Sequence, residues 1–478
     1  MRKILLGTLV LCPLLGVVKA DVGKADVDKR LLLDERLIAE TDNAALRVGT
    51  VEKNPANPLF GEEYGWEARF DNMYPSVTYD EQEEIYKVWY FTYTYDPTND
   101  AIPPEQRHEK PWGPMFKKLR KANGGLDPRT DGVCYAYSKD GLHWTKPLLA
   151  ECPWKGKPSN VVMHPAHGAT VFKDPHEKDP KRRYKMFGSE NINHNRDLMF
   201  VSFSEDGIHW GKKIRCPEIR AYGDTYNNAF WDPRTQQYIG ITRMHSWPQP
   251  SQRLVVRTVS KDFVKWTPNR EVYRGTYKKQ TYSMPTVYYA GIYIGLPAIL
   301  DLRKDGIHTE LAWSPDTIHW HRIDEGTPLL TAGPKGSYDC GIAHVGRPII
   351  RPHRIELYYG GGDGIHFGWR KGSLCLATLR VDGFAGYEPI DKAKAASVTL
   401  KPQRLGNKLG VTADAQGGVL RVLVLDADGN TVLKSKPIDR DITDQPVEWE
   451  KGRLAELEEH PYTLRFELKR AKVYAYTL

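Results

Sequence analysis

The stretch Ser138-Lys-Asp-Gly-Leu-His-Trp144 decides the fold, because its pattern of serine, aspartate and tryptophan returns three more times along the chain. The other copies are Ser204-Glu-Asp-Gly-Ile-His-Trp210, Ser260-Lys-Asp-Phe-Val-Lys-Trp266 and Ser314-Pro-Asp-Thr-Ile-His-Trp320. Successive tryptophans are 66, 56 and 54 residues apart. A repeat with this spacing is typical of the blades of a β-propeller, which are arranged around a central axis.

Short runs rich in aromatic and β-branched residues precede these phrases, and their composition predicts β-strands. The runs are Tyr86-Lys-Val-Trp-Tyr-Phe, Arg183-Tyr-Lys-Met-Phe and Tyr238-Ile-Gly-Ile-Thr. Inside each phrase, the aspartate is expected to accept a hydrogen bond from the backbone two residues later, and the tryptophan is expected to pack between blades. We therefore interpret the phrases as structural parts of the blades with no catalytic role.

A fifth set of strands follows without the phrase, and it includes Ile355-Glu-Leu-Tyr-Tyr and Leu374-Cys-Leu-Ala-Thr-Leu-Arg380. From about Ala396 the composition changes to a different series of alternating strands. The sequence therefore predicts an all-β fold: a five-bladed β-propeller over residues 21–395, followed by a small C-terminal β-sandwich over residues 396–478.

The first twenty residues have the features of a secretory signal peptide. Arg2 and Lys3 form a basic start, an apolar run extends from Ile4 to Val18, and the small residue Ala20 stands at the end. We therefore expect an exported protein, periplasmic or secreted, whose mature chain begins at Asp21. The apolar run is shorter than the roughly 20 residues that a helical membrane span requires, and no later segment is long and apolar enough, so no membrane span is predicted.

Composition narrows the partners further. The net charge of +8 is modest for 478 residues. Neither of the two basic runs, 117–121 and 181–183, is interleaved with aromatic residues as the grooves that bind single-stranded nucleic acids are, so no nucleic-acid partner is predicted. The cysteines are widely and irregularly spaced, which indicates no zinc site, and Cys134 with Cys152 is the nearest pair for a disulfide.

The innermost strand of each propeller blade starts near the central funnel, so the residues that enter these strands should converge on one pocket. The polar residues at the five predicted entries are Asp71, Asn72, His164, His167, Asp224, Asn228, Tyr282 and Asp339. In addition, a segment rich in proline, glycine and lysine from Asp100 to Asp131 is predicted to be one long loop inside the first blade, and loops of that length are commonly functional.

Three aspartates at matched entries indicate glycosidic cleavage. That reaction needs one carboxyl group to protonate the leaving oxygen and another to activate water or attack the sugar. Asp71, Asp224 and Asp339 are the candidates, and Glu190 after the second strand of blade two is an alternative acid. Neighbouring carboxylates raise each other's pKa, which would keep one of them protonated.

The expected substrate-binding residues are the polar entry residues Asn72, His164, Asn228 and Tyr282, together with Arg243 and Trp66. Arg243 could hold a substrate carboxylate or sulfate through two hydrogen bonds. Trp66 and Trp369 could each stack on a sugar face, and either could equally belong to the core of a blade.

These motifs resemble the five-bladed glycoside hydrolases of families 43, 32 and 117. The likeness is carried by the Ser-x-Asp-Gly-x-x-Trp phrases and the blade-entry aspartate. The segments Trp66-Glu-Ala-Arg-Phe-Asp-Asn-Met-Tyr-Pro and Asp224-Thr-Tyr-Asn-Asn-Ala-Phe-Trp-Asp are similar to segments of exported glycosidase-like proteins from polysaccharide-degrading bacteria. The resemblance extends over nearly the whole mature chain, and it is specific for the fold and weak for the substrate.

By this resemblance the base or nucleophile of the reaction is Asp71. Families 43 and 32 have an aspartate at the entry of blade two and a glutamate at the entry of blade three, where this chain has His167 and Asp224. Family 117 is similar in departing from that pattern, since a histidine is thought to act as its acid. His167, Asp224 and Glu190 therefore compete for the role of the acid.

The resemblance implies an exo-acting glycosidase that removes a sugar from a plant or algal oligo- or polysaccharide. It implies no required cofactor, and a Ca²⁺ ion in the funnel is left open. One alternative is a propeller that binds a glycan without cutting it, and another is a sialidase-like hydrolase, although only five blades can be counted and no arginine triad can be assembled. The sugar, the linkage and the oligomeric state are not determined by the sequence.

Overall fold

The computed structural model describes residues 29–103, 106–107, 112–190, 199–246 and 251–478. The predicted signal peptide, residues 1–20, lies outside this part of the chain. The described residues form an all-β fold with five sheets around a ring and two sheets of a separate sandwich, so the predicted fold class is confirmed.

Blades I to IV are antiparallel sheets whose strands follow one another in the sequence. Blade I contains Ser76–Asp80, Ile85–Tyr95 and Thr130–Ser138, with Trp144–Thr145 and Val161–Met163 on its outer side. Blade II contains His167–Lys173, Tyr184–Ser189, Met199–Ser204 and Ile214–Arg215. Blade III contains Asn228–Asp232, Gln237–His245, Arg253–Ser260 and Arg270–Arg274. Blade IV contains Thr286–Tyr289, Ile292–Gly295, Leu311–Ser314 and His321–Ile323.

Blade V is built from both ends of the propeller chain. Its inner strands are Ile342–Val345, Ile355–Gly362 and Gly372–Leu379, with Ile349–Ile350 beside the second. Its outer strands come from the N-terminal side, as Glu52–Lys53 and Phe60–Gly61. The strands Lys279–Ser283, Ala298–Asp301 and Gly306–Thr309 extend the same sheet past the inner edge, through a parallel pairing of Ile307 with Ile342.

Two side chains fasten the N-terminal segment to blade V. The Asn57 amide donates to the carbonyl of Leu376 and accepts the N–H of the same residue, both at 2.8 Å, as a neighbouring strand would. Lys53 forms an ion pair with the buried Asp339. This segment therefore closes the ring.

A repeated hydrogen bond joins neighbouring blades. In each case a tyrosine at the start of the second strand of one blade donates its hydroxyl to an acid of the preceding blade. The pairs are Tyr184 with Asp80 at 2.7 Å, Tyr238 with Asp174 at 2.6 Å, Tyr293 with Asp232 at 2.6 Å, and Tyr86 with Glu356 at 3.1 Å. The last pair joins blade V to blade I, so it spans the point at which the ring closes.

The four phrases form nearly identical turns, as predicted. In the first, Asp140 Oδ1 accepts the N–H groups of Leu142 and His143, both at 2.8 Å, and the Ser138 hydroxyl accepts that of Gly141 at 2.9 Å. The glycine has a φ of +77°, and its carbonyl accepts the hydroxyl of Tyr358 from blade V. The phrase is therefore structural and contacts the neighbouring blade.

The segment between the second and third strands of blade I is not one loop. It contains the helices Pro97–Ala101 and Trp112–Ala122. Short 3₁₀ turns elsewhere span Glu35–Leu37, Pro180–Arg182 and Leu454–Glu456, and a separate hairpin joins Leu149–Trp154 to Lys157–Ser159. The prediction of a continuous loop was therefore wrong for the described part of this segment.

The sandwich takes strands from both ends of the chain. One sheet contains Lys29–Leu31, Ala44–Val48, Ala385–Pro389, Gly410–Asp414, Asp441–Pro446 and Lys472–Thr477. The other contains Ile38–Asp42, Ala396–Leu400, Val419–Leu425, Thr431–Lys434 and Thr463–Lys469. Residues 29–48 and 385–389 therefore pair with the sandwich sheets, whereas the predicted boundary at 395/396 placed them in the propeller. A periodicity argument could not reveal this, because pairing between chain ends leaves no local signal.

The five cysteines of the described residues, Cys134 and Cys152 among them, are unpaired. Among the described residues, no helix has both the length and the apolar character that crossing a membrane would require.

The bonds between blades should contribute to stability. Tyr238→Phe removes the buried hydroxyl that donates a hydrogen bond to Asp174. Because the carboxylate then loses this donor inside the protein, we expect the free energy of unfolding to fall by about 1–3 kcal/mol. Urea denaturation measures the change. Tyr277→Phe, at an exposed tyrosine, is the matched control and should leave stability unchanged. Equal stabilities of the two variants would contradict the role of this bond.

Candidate functional site

The polar residues of the candidate site come from two kinds of blade segment. In an antiparallel blade, the start of the first strand lies beside the end of the second strand. His167 pairs with Ser189 in blade II, and Ile342 pairs with Gly362 in blade V. Segments that enter first strands and segments that join second to third strands therefore meet at the same face of the propeller.

Three hydrogen-bonded side chains, one each from blades I, II and III, lie in a row at this face. His167, the first residue of blade II, bonds through Nδ1 to Asp131 Oδ2 at 2.8 Å and through Nε2 to Asp224 Oδ1 at 2.9 Å. Asp131 lies at the start of the third strand of blade I, and Asp224 precedes the first strand of blade III. The imidazole is thus held between two carboxylates from different blades.

The two carboxylates set the protonation state of His167. Burial by itself would lower the pKa of this histidine, but its hydrogen bonds to Asp131 and Asp224 outweigh that effect and raise the pKa to about 9. The side chain is 4% exposed. At neutral pH His167 is therefore an imidazolium that donates both ring protons.

Asp224 is held in its ionised form. Burial opposes the charge, but Arg243 and the hydrogen bond from His167 lower the pKa of Asp224 well below its usual value. Arg243 Nη2 donates to Asp224 Oδ2 at 2.7 Å, and the guanidinium lies over the ring of Tyr282 at 4.5 Å. Arg253 packs over the same ring at 5.2 Å.

Asp71 is held by two arginines. Arg370 Nη2 donates to Asp71 Oδ1, and Arg69 Nη2 donates to the same oxygen at 3.3 Å. Arg370 also donates to Asn72 Oδ1 at 3.1 Å. Burial would raise the pKa of Asp71, but the charges of Arg370 and then Arg69 lower it to about 2. Asp71 is therefore a carboxylate across the whole physiological range.

Tyr74 and His366 connect the two acidic positions, since each interacts electrostatically with both Asp71 and Asp224. The hydroxyls of Tyr74 and Tyr282 are 3.4 Å apart, and the His366 ring meets Tyr282 edge-on with centroids 5.2 Å apart. Burial, followed by the charges of Arg370 and Arg253, holds the pKa of His366 well below its usual value. His366 is therefore a neutral imidazole.

The structure brings together six of the residues expected from the sequence. They are Asp71, Asn72, His167, Asp224, Arg243 and Tyr282. The side chains of Asp71 and Asp224 are 16% and 27% exposed, so both carboxylates can meet a ligand.

Two of the predicted acids have other partners. Asp339 is 1% exposed and is bonded to Lys53, to Tyr359 at 2.9 Å and to Ser337 at 3.1 Å, so it belongs to the closure of blade V. Glu190 forms ion pairs with Lys213 at 2.8 Å and with Arg215 of the outermost strand of blade II. Neither carboxylate makes a described hydrogen bond to the cluster around Asp71. Each is instead paired with nearby cations, Asp339 with Lys53 and Glu190 with Lys213 and Arg215.

Two predicted substrate contacts, Trp66 and Asn228, have other partners, and a third, His164, is not hydrogen-bonded to the cluster in the described part of the chain. Trp66 stacks on Tyr64 in the core of blade I and donates to Asn160 at 2.6 Å. Asn228 donates to the carbonyl of Thr286 at 3.3 Å, which links blades III and IV. His164 is exposed and precedes His167 by three residues; it interacts electrostatically with Asp131 but makes no described hydrogen bond to the cluster.

Several residues of the cluster were missed by the sequence analysis. They are Arg69, Tyr74, Asp131, Arg253, His366 and Arg370. Asp131, Arg253 and Arg370 stand at or just before the third strands of their blades. First and third strands start at the same face of the propeller. Applying the strand-entry rule to third strands as well would therefore have predicted these three residues.

Among the residues that the structure describes, no group of three or more histidine, cysteine or acidic side chains is arranged so that it could hold a metal ion. Both carboxylate oxygens of Asp224, and Oδ1 of Asp71, accept hydrogen bonds from histidine or arginine side chains.

Comparisons with known proteins give the following likenesses. No protein-family profile and no curated protein matches the chain. A β-1,2-mannobiose phosphorylase from Listeria innocua is 13% identical, with a TM-score of 0.48 over 70% of this chain and 97% of that chain. An N-acetylgalactosamine deacetylase from F. plautii is 14% identical, with a TM-score of 0.46 over 70% and 96%. A glycosyl hydrolase from Bacteroides ovatus is 14% identical, with a TM-score of 0.42 over 69% and 94%.

The raised pKa of His167 predicts a pH dependence of stability. A histidine whose pKa is near 6.5 when unfolded and about 9 when folded stabilises the protein fully below pH 6.5, and this contribution is lost as the pH rises through 9. We expect the free energy of unfolding to fall by on the order of 3 kcal/mol across this window.

Urea denaturation between pH 6 and pH 9.5 measures this effect. His167→Gln should flatten the dependence, whereas the control His143→Gln, at an exposed histidine of the first phrase, should keep it. Parallel curves for wild type and His167→Gln would show that His167 carries no such charge.

Proposed function

We propose that this protein is a glycoside hydrolase whose reaction takes place at Asp71 and Asp224. The observation that carries the proposal is that two partly exposed carboxylates share neighbours at one face of the propeller, while only one of them is bonded to a protonated histidine. Glycosidic cleavage requires this asymmetry, because one group must act as an ionised base or nucleophile and the other must deliver a proton.

Asp71 is the base or nucleophile in this proposal. Its pKa of about 2 keeps it ionised, which both roles require. Arg370 and Arg69 fix one oxygen of the carboxylate, Oδ1, and the structure describes no hydrogen bond to Oδ2. That oxygen is available to approach water or the sugar.

The acid is the pair of His167 and Asp224. His167 holds the proton at neutral pH, but it is too buried to touch a substrate. Asp224 is the exposed member and accepts from His167 Nε2 at 2.9 Å. We therefore assign a concerted relay to the pair: His167 Nε2 gives its proton to Asp224 as Asp224 passes a proton to the leaving oxygen, so His167 ends neutral and Asp224 is ionised before and after the step. Asp131 holds the other ring nitrogen and fixes the imidazole.

The helix Trp112–Ala122 supports an exo-acting reaction. Its residues Trp112 and Phe116 pack against Arg129 at 5.5 and 4.5 Å, and Trp112 also packs against Arg69 at 4.8 Å. The helix therefore stands beside Arg69, which holds Asp71, and we take it to narrow the approach to that carboxylate. A chain end fits such a site better than the middle of a polysaccharide, and the predicted leader agrees with a glycan substrate outside the cytoplasm.

Site variants test the proposal. The mature chain would be offered aryl glycosides and plant or algal oligosaccharides, and released sugar would be quantified with and without inorganic phosphate. We expect Asp71→Asn and Asp224→Asn each to lower kcat/KM about 10³-fold, because each removes a group that accepts or delivers a proton. Asp428→Asn, in an exposed turn of the sandwich, is the control and should retain full activity.

Two outcomes would contradict the proposal. If a glycan binds wild type and both site variants equally and none is cut, the propeller is a binding module. If release of sugar depends on phosphate, the reaction is not hydrolysis. If only sialosides are cut, hydrolysis stands and the substrate is that of the sialidase-like alternative. Circular dichroism of each variant confirms that the fold is retained.

A further inference from the structure

A small cavity lies beside the arginines that hold Asp71. Its volume is about 50 Å³, and its lining includes Glu62, Arg69, Arg107, Trp369, Arg370 and Lys371. These residues come from the segment before blade I, from the insertion within blade I, and from the segment before the third strand of blade V. Three separate parts of the chain therefore meet around this cavity.

The charged side chains that line the cavity are mostly basic. Four are arginine or lysine, and Glu62 is the one acid among them. Burial raises the pKa of Glu62 to about 7, in spite of its hydrogen bonds from the N–H groups of Phe70 at 2.9 Å and Gly372 at 3.1 Å. At neutral pH this acid therefore carries only part of a negative charge.

The neighbouring acids Asp71, Asp96 and Asp363 offset part of this positive charge. Asp71 accepts from Arg69 and Arg370, and Asp363 accepts the backbone N–H of Lys371 at 2.7 Å, but neither lines the cavity. Arg107 donates only to backbone carbonyls, those of Ile102 at 3.2 Å and Asn99 at 3.1 Å, in its described hydrogen bonds. No described carboxylate is bonded to Arg107.

Buried donors around the cavity have no partner. Arg69 is 2% exposed, and its Nε and Nη1 make no hydrogen bond. Trp369 is 6% exposed, and its Nε1 is likewise unpartnered. Buried donors are almost always satisfied in folded proteins, so these three donor nitrogens need an acceptor.

We propose that this cavity binds an anionic substituent, a carboxylate or a sulfate ester, of the sugar that is cut. The inference rests on the proposed function in one respect: the anion is taken to belong to the substrate of Asp71. Guanidinium groups bind carboxylate and sulfate oxygens in pairs, and the volume suits a group of a few atoms. Since Arg69 and Arg370 contact both the cavity and Asp71, an anion here places its sugar ring next to that carboxylate.

Binding of two simple anions tests the site independently of catalysis. Wild type would be titrated with sodium acetate and with sodium methyl sulfate at constant ionic strength, and tryptophan fluorescence would be followed. We expect saturable binding of at least one anion, weakened about tenfold or more in Arg107→Gln and in Lys371→Gln. Arg69 and Arg370 are left unchanged because they also hold Asp71.

Lys178→Gln, at an exposed lysine of blade II, is the control and should bind as wild type does. The anion that binds more tightly indicates whether the substituent is a carboxylate or a sulfate. Absence of saturable binding, or equal binding by Arg107→Gln and wild type, would overturn the site.

Hydrolysis of matched neutral and anionic glycans distinguishes this inference from the proposed function. If anionic glycans are cut with a higher kcat/KM, and Arg107→Gln removes that preference, both stand. If neutral and anionic glycans are cut equally well, the proposal of a glycoside hydrolase is kept, and the proposal that the cavity binds an anionic group of the substrate is rejected. If nothing is cut while anion binding still depends on Arg107 and Lys371, the anion site is kept, and the proposal of a glycoside hydrolase is rejected.

Discussion

The hydrogen bond from a tyrosine of one blade to an acid of the preceding blade is the constraint on which the site depends. Asp71, His167 and Asp224 belong to three successive blades, so their spacing is set by how each blade is rotated against the next. The bonds of Tyr184 to Asp80 and of Tyr238 to Asp174 fix those rotations. A buried hydrogen bond to a charged acceptor is directional, whereas apolar packing between blades tolerates sliding.

Ring closure depends on the same kind of constraint. Blade V has no further blade to follow it in the sequence, and its outer edge would otherwise offer unpaired backbone groups. The strands Glu52–Lys53 and Phe60–Gly61 cover that edge, and the ion pair of Lys53 with Asp339 holds them there. Arg370, which holds Asp71, stands just before the strand that they cover, so closure of the ring positions one side of the candidate site.

Pairing of opposite charges explains why several largely buried side chains at the site remain ionised. A carboxylate without a partner would take up a proton there, because burial favours its neutral form. Arg370 prevents this at Asp71, and Arg243 with His167 prevents it at Asp224. The two acids are equally ionised yet chemically different, since one is paired with permanent cations alone and the other is also paired with a cation that can give up its proton.

The sequence by itself determined the propeller, its five blades and the blade-entry positions of Asp71, His167 and Asp224. These features follow from the period of the Ser138–Trp144 phrase and from strand patterns, and both are local properties of the chain. The turn chemistry of the phrase was predictable for the same reason, because it involves residues within a few positions of each other.

Only the tertiary structure decided which polar residues share the site. Asp71 and Asp339 occupy equivalent sequence positions, but one meets Arg370 and the other meets Lys53, and both partners are about 300 residues away along the chain. The pairing of residues 29–48 with the sandwich is decided in the same way. Such contacts depend on how distant segments pack, and no period or composition records the partner of a side chain.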